Sequence, residues 1–284
     1  MTEPVIAVIA AGDMGSAVGA RLAEQGCRVL TSLAGRSAAS RARAEAAGMA
    51  DASDVELADA DMILSIVPPG DALAMAERLA PAIRVAASKP LYVDCNAVSP
   101  ETLKAIGAVV ETAGAPFVDA GIIGGPPAPG YTPAIYASGP EAPRFEALNH
   151  RGLDIRVMAG AVGQASALKM CYAGLTKGLH AVGVAVIQGA IEAGIEETFF
   201  AELAASQPML LDYFTRRTPG IFVKTYRWVA EMQEIGNFLG GRREAIYDGA
   251  AALFDGMAAD HAGSKTEEAK LIAFLKRPRP QSMK

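Results

Sequence analysis

The chain has 284 residues, 51% hydrophobic and 20% charged, with a formal net charge of -5. Such a length and composition support a substantial core in one large domain or two modest ones, and exclude disorder over most of the chain. The acidic balance argues against a nucleic-acid partner, which selects a basic face.

The opening "MTEPVIAVIAAG" runs straight into an apolar strand with no basic segment before it, and no run of about 18 residues is apolar throughout. Neither a signal peptide nor a membrane span is therefore expected. Cys27, Cys95 and Cys171 form no CxxC pair, which suggests free thiols in a reducing, cytoplasmic compartment and no metal site. Residues 5–10, 27–33, 62–67 and 90–96 read as strands, each followed by a turn or a helical pattern. That alternation predicts a parallel sheet with helices on both faces, and 116–120, 133–137 and 154–157 add short strands. After Gly160 the strands stop. A long apolar helix is expected over 162–193, followed by shorter helices bounded by "SQP" at 206–208, "RTPG" at 217–220, "GG" at 240–241 and "AGS" at 262–264. The expected domains are 1–160 and 161–284, with a flexible tail "KRPRPQSMK" whose prolines cannot continue a helix.

Within "VIAVIAAGDMGSAVGARL", Gly12 and Gly15 follow a strand and open a helix, the context of a dinucleotide-binding fingerprint. Gly12 lets the backbone approach a pyrophosphate, and Gly15 lets helix and strand pack closely. Ala10 replaces the glycine of the tight turn. The candidate contacts are Ala11, Gly12, Asp13, Met14 and Gly15, with the anion on the helix N-terminus. An NAD site needs a carboxylate past the second strand, yet "CRVLTSLAGRSAASRARAE" has none before Glu45. Arg36, Ser37 and Arg41 stand there and suit a 2′-phosphate, so the expected cofactor is NADP(H). Arg43 reads as part of a solvated helix start. The fold class is an α/β Rossmann-type, doubly wound N-terminal sheet followed by an all-α C-terminal domain.

"SIVPPGDA" and "VDCNAVSP" both end strands, which puts Val67, Pro68 and Asn96 at the carboxyl edge of the sheet, where ligands bind in such folds. "FVDAGIIGGPPAPG" ends in paired glycines, Gly124 and Gly125, whose amides can hold an anionic group. In "GAVGQASALKMCYAGLTKG" Lys169, flanked by Leu168 and Met170, interrupts an apolar run. It either snorkels or faces a cavity, where desolvation lowers its pKa and suits it to general acid work.

Four motifs in this order resemble the β-hydroxyacid dehydrogenase family, which includes 3-hydroxyisobutyrate and 6-phosphogluconate dehydrogenases. "AAGDMG" stands for GLGxMG, "DCNAVSP" for DxSTxxP, "DAGIIGG" for DAPVSGG, and "GQASALKMCYA" for the stretch with the catalytic lysine. The resemblance implies Lys169 as general acid/base, Gly124 and Gly125 on the substrate carboxylate, and Asn96 beside the nicotinamide and substrate. It also marks departures. Ile123 replaces the substrate-binding serine, Ala97 a threonine, and Ala173 an asparagine with Tyr172 beside it. Lys224–Thr225 is the nearest match to a later lysine-aspartate pair, and "RWVAEMQEI" resembles a branch with its own C-terminal domain.

The expected activity is reversible hydride transfer between NADPH and an aldehyde or ketone carrying an acid group. An imine reductase on the same scaffold and a non-catalytic NADP-binding regulator are the alternatives. The helix at 162–193 is apolar nearly all round, so a homodimer sharing it is expected. His180 reads as core or interface, and Met170, Cys171 and Met209 as packing groups. Glu231 and Glu234 read as a solvated or salt-bridged face, with Glu231 a candidate for the substrate pocket. Trp228 and Tyr226 read as pocket or core aromatics.

Overall fold

A computed structural model describes residues 3–279, and these divide into two compact units between Met170 and Cys171. That division falls inside a helix, ten residues past the boundary expected at 160.

The first unit holds one eight-stranded sheet in the order β3-β2-β1-β4-β5-β6-β7-β8. In chain order the strands are β1 (Val5–Ile9), β2 (Arg28–Thr31), β3 (Met49–Asp51), β4 (Met62–Ser65), β5 (Leu91–Asp94), β6 (Phe117–Ile123), β7 (Ala134–Ser138) and β8 (Asp154–Val157). The accompanying helices are α1 (Asp13–Glu24), α2 (Ala38–Ala46), α3 (Asp54–Ala58), α4 (Ala72–Val85), α5 (Pro100–Thr112) and the short α6 (Ala142–Phe145). β1 shows why the strands read as unbroken apolar runs. Ile6 and Val8 belong to one core cluster and Ala7 and Ile9 to another, because a strand's alternate side chains enter layers on opposite faces.

Two features depart from expectation. β3 pairs in parallel with β2 through "MAD", a triplet without β-branched residues that only a neighbouring strand edge brings into register. β6 and β7 pair antiparallel, with Asp119 opposite Ser138, so the sheet is mixed.

The second half of the chain is helical: α7 (Gln164–Glu192), α8 (Glu196–Ser206), α9 (Pro208–Arg217), α10 (Thr225–Leu239), α11 (Glu244–Ala262) and α12 (Thr266–Leu275). Its breaks fall at the expected turn signals. Residues 280–284, the end of the tail expected to be flexible, lie outside the described residues. In this unit His180 is buried beside the rings of Tyr213, Phe214 and Trp228, and Trp228 meets Phe254 edge-on at 5.1 Å. Burial, with a smaller contribution from Arg217, lowers the pKa of His180 to about 4, so it is a neutral core imidazole. Glu231 pairs with Lys177, whose ammonium lies 5.2 Å from the Trp228 ring centre. Met209, expected to pack, is 85% exposed, and Tyr226 is exposed as well.

By length and composition α7 is apolar enough to cross a membrane. Ala173, Ala181, Val184 and Ile187 on it are nevertheless buried in protein. Tyr172, Leu175, Val182 and Val186 are exposed and share one face at helical spacing.

Candidate active site

The glycine loop leads from β1 into α1. Gly12 is the N-cap in extended conformation, with no side-chain cap, and the first helical bond runs from Ser16 N to Gly12 O at 2.9 Å. The N–H groups of Asp13, Met14 and Gly15 therefore head a helix start that no side chain caps. A Cβ on Gly12 would meet nothing within 4 Å, whereas one on Gly15 would lie 1.9 Å from the Ala10 carbonyl oxygen. The two glycines thus do different work: Gly12 keeps the loop open toward solvent, and Gly15 lets α1 pack on β1. An uncapped, partly exposed helix start beside open space fits a pyrophosphate.

Beyond β2, the Ser37 hydroxyl caps α2 by accepting from Ser40 N. Arg41 Nη2 donates to Leu33 O at 2.6 Å, and Arg36 is half-buried beside them. Arg43 is exposed, in keeping with a solvated helix start. Its Nε donates to Ala11 O at 3.1 Å, which ties α2 to the glycine loop. Asp51, at the end of β3, is occupied by Leu33 N at 2.8 Å.

At the β4 and β5 exits the polar groups turn inward. Asn96 is buried; its Oδ1 accepts from Val67 N at 2.7 Å, and its Nδ2 donates to Ser65 Oγ and to Asp94 Oδ2. Both amide hydrogens are thereby used within the protein. Asp94 accepts from Asn96, through its backbone and side chain, and burial raises its pKa to about 7, helped by the nearby Asp119. Val67 is buried, and Pro68 follows it into the next loop.

The β6 exit is built differently. Asp119 is buried and accepts four bonds: from Ser138 Oγ (2.8 Å), Gly163 N (2.9 Å), Ser166 N (3.1 Å) and Ser166 Oγ (2.6 Å). Ser138 Oγ in turn accepts from Ala165 N at 3.0 Å. These acceptors satisfy backbone donors that the first turn of a helix leaves unpaired, so a carboxylate on β6 caps α7 from outside. Gly121 completes the fit, since a Cβ there would come within 3.1 Å of both Ala165 O and Lys169 Cβ. One turn past Ser166, the Lys169 ammonium donates to Ile122 O. Burial lowers its pKa to about 8.

Lys169 thus stands over the strand end that carries Ile123, Gly124 and Gly125. Tyr131 also reaches this strand end, its hydroxyl accepting from Gly125 N at 3.2 Å. Tyr172, on α7 beyond Lys169, is 49% exposed. Sequence reading missed the capping role of Asp119, its partners Ser138 and Ser166, and Tyr131. Asp119 opens the "DAGIIGG" motif and Ser166 lies within "GQASALKMCYA", whereas Ser138 and Tyr131 lay outside every motif singled out.

An open glycine-headed helix start at the carboxyl edge of a largely parallel sheet defines a dinucleotide-binding α/β protein of the Rossmann type. The chain belongs to the family of the NAD-binding domain of 6-phosphogluconate dehydrogenase, whose model matches residues 5–151. Residues 190–257 match a second model, a domain of unknown function, DUF1932. An uncharacterized 28.5 kDa protein of Methanothermus fervidus is 29% identical over 214 residues, covering 74% of this chain and 81% of that protein. The solved conserved protein MTH1747, described as structurally similar to 3-hydroxyacid dehydrogenases, is 28% identical with a TM-score of 0.71, over 94% of this chain and 99% of that one. Mycobacterium tuberculosis 3-hydroxyisobutyrate dehydrogenase, solved with L-serine, shares the fold at 20% identity and a TM-score of 0.68, over 97% of this chain and all (100%) of that one. The resemblance read from the motifs holds: the chain is a 3-hydroxyacid dehydrogenase-like, NAD(P)-binding protein.

Proposed function

We propose that the protein is an NADP(H)-dependent oxidoreductase interconverting a hydroxy acid with the aldehyde or ketone that carries the same acid group. The observation that carries this reading is Lys169, a half-buried lysine bonded to Ile122 O over the strand end that leads to Gly125, with its pKa lowered by desolvation to about 8. A lysine so placed is mostly protonated at neutral pH yet near its titration point, which suits proton transfer in either direction. In the reductive direction its ammonium donates to the carbonyl oxygen. In the oxidative direction the neutral amine accepts the hydroxyl proton. NADPH, when bound, supplies the hydride to the carbonyl carbon. The N–H groups of Asp13, Met14 and Gly15 would hold its pyrophosphate, and Arg36, Ser37 and Arg41 its 2′-phosphate. The acid group belongs at the Gly124–Gly125 segment.

The reading includes a homodimer in a reducing cytoplasm. The exposed α7 face of Tyr172, Leu175, Val182 and Val186 supports the dimer, and free thiols at Cys27, Cys95 and Cys171 fit the compartment. Light scattering at micromolar concentration is expected to give twice the chain mass.

The test of function is NADPH oxidation over a panel of carboxylate-bearing aldehydes and ketones, their neutral analogues, and cyclic imines. Turnover is expected with the acids. Turnover with imines alone identifies an imine reductase, and tight cofactor binding without turnover a regulator. Arg36→Ala is expected to erase a preference for NADPH over NADH of at least about tenfold, since a charge-assisted bond is worth roughly 1.5–3 kcal/mol. Equal affinity of the native protein for both cofactors would refute the 2′-phosphate assignment.

A further inference from the structure

Past Gly125 the chain doubles back through Ala128–Pro129–Gly130–Tyr131. Gly130 has φ +74°, and proline followed by a left-handed glycine is the sequence requirement of a type II turn. Two backbone bonds close it: Tyr131 N to Ala128 O at 2.9 Å, and Ala128 N to Tyr131 O at 3.0 Å. Arg21 of α1 clamps the same turn, with Nη1 donating to Thr132 Oγ1 at 2.8 Å and Nη2 to Ala128 O at 3.1 Å. The direction of Tyr131 is therefore fixed from both sides, and its phenol returns over Gly124. A Cβ on Gly124, which has φ +136°, would lie 2.2 Å from Tyr131 Oη, so only glycine leaves room for that hydroxyl. Tyr131 is 45% exposed, which sets it apart from a core tyrosine. Its oxygen accepts from Gly125 N, and among the described residues its O–H donates to no acceptor.

A hydroxyl is missing at one point of this strand end and present at another. Ile123 stands where the family resemblance expects a substrate-binding serine. We propose that Tyr131 supplies that hydroxyl and acts as a specificity-determining residue, its O–H donating to the acid group of the substrate. The inference rests on the acid-substrate reading above and refines it: the Gly125 amide serves the acid through the phenol. One lone pair of Tyr131 Oη takes the Gly125 N–H, which leaves the O–H to donate outward, and a donor polarised from behind donates more strongly. A phenol in place of a serine hydroxyl also brings a ring to the rim of the site and narrows the substrates admitted there.

The test uses the full chain labelled with [15N]glycine, saturated with NADPH, with the Gly125 amide resonance as reporter. The probe is 3-hydroxypropionate, and its primary amide is the uncharged control. In the native protein the acid is expected to shift the Gly125 resonance and the amide to bind far more weakly. Tyr131→Phe, which keeps the ring, is expected to weaken acid binding roughly 10- to 100-fold, the worth of a bond to a charged group, with NADPH affinity unchanged. Equal acid affinity in both proteins would overturn the role of Tyr131 and leave the acid reading standing. An acid that fails to bind the NADPH-loaded native protein would overturn the acid reading, and the Tyr131 assignment with it.

Discussion

Asp94 on β5 and Asp119 on β6 stand side by side in register, both enclosed by the protein, yet the two strand exits they serve have different uses. Asp94 receives bonds from Asn96, whose own amide is spent on Val67, Ser65 and Asp94. That network closes on itself. Asp119 receives four bonds from three residues on β7 and at the start of α7, and the same exit carries Lys169, Gly125 and Tyr131, the groups proposed to meet the substrate. The difference shows how a buried carboxylate either closes a local network or anchors a helix. Two bonds from a neutral neighbour leave Asp94 protonatable near pH 7. Asp119, with four donors, fixes the first turn of the helix that carries Lys169.

The largest expected effect sits at the β6 exit. Lys169→Ala should lower kcat by roughly 10²- to 10⁴-fold, the usual worth of a positioned general acid, while NADPH affinity stays within error. Lys169→Arg should fail too, because a guanidinium keeps its proton. Near-native turnover by either variant would reduce Lys169 to a packing role.

Next comes the anchor. Asp119→Ala strips acceptors from Ser138, Gly163 and Ser166, and is expected to cost roughly 2–4 kcal/mol of stability in urea denaturation. Hydrogen exchange should rise first at Gly163, Ala165 and Ser166. Unchanged protection there would mean that α7 is held by packing alone.

A further effect falls on Asp94 and is read through pH. The Asp94 carboxyl has a folded pKa of about 7 and an unfolded one of about 3.9. Between these values the native state binds more protons than the unfolded state, so stability falls as pH rises from about 4 to 7. The slope from this group approaches ~1.4 kcal/mol per pH unit. Asp94→Asn should remove that slope from pH-dependent urea denaturation while leaving Lys169-dependent turnover in place. An unaltered slope would place the titration elsewhere.

What was legible in the sequence was local. β1, the glycine loop and α1 follow one another within a few residues, so periodicity and spacing gave both the elements and their use. Lys169 was legible because a charge stands between Leu168 and Met170 in an otherwise apolar stretch of helix. The Asp119 cap was not, because its partners lie 19, 44 and 47 residues away and no local pattern connects them. The bond from Arg43 to Ala11 was not legible for the same reason, since its acceptor lies 32 residues back. β3 escaped notice because pairing with β2, not propensity, makes "MAD" a strand. The Ala128–Tyr131 turn had a readable proline-glycine signature, but nothing in it showed where the tyrosine ring would land.

The proposed role of Lys169, at the β6 exit, requires it to exchange its proton near pH 8. It is tested most directly by the pH dependence of kcat for NADPH oxidation with the best carbonyl acid of the panel, in the native protein and in Lys169→Ala. The native rate should hold through neutral pH and fall above about pH 8, as burial-lowered Lys169 loses the proton it must donate, and the reverse reaction should rise through the same point. The residual rate of the alanine variant should be flat there. A native profile with no limb near pH 8, or the same limb in both proteins, would contradict the account.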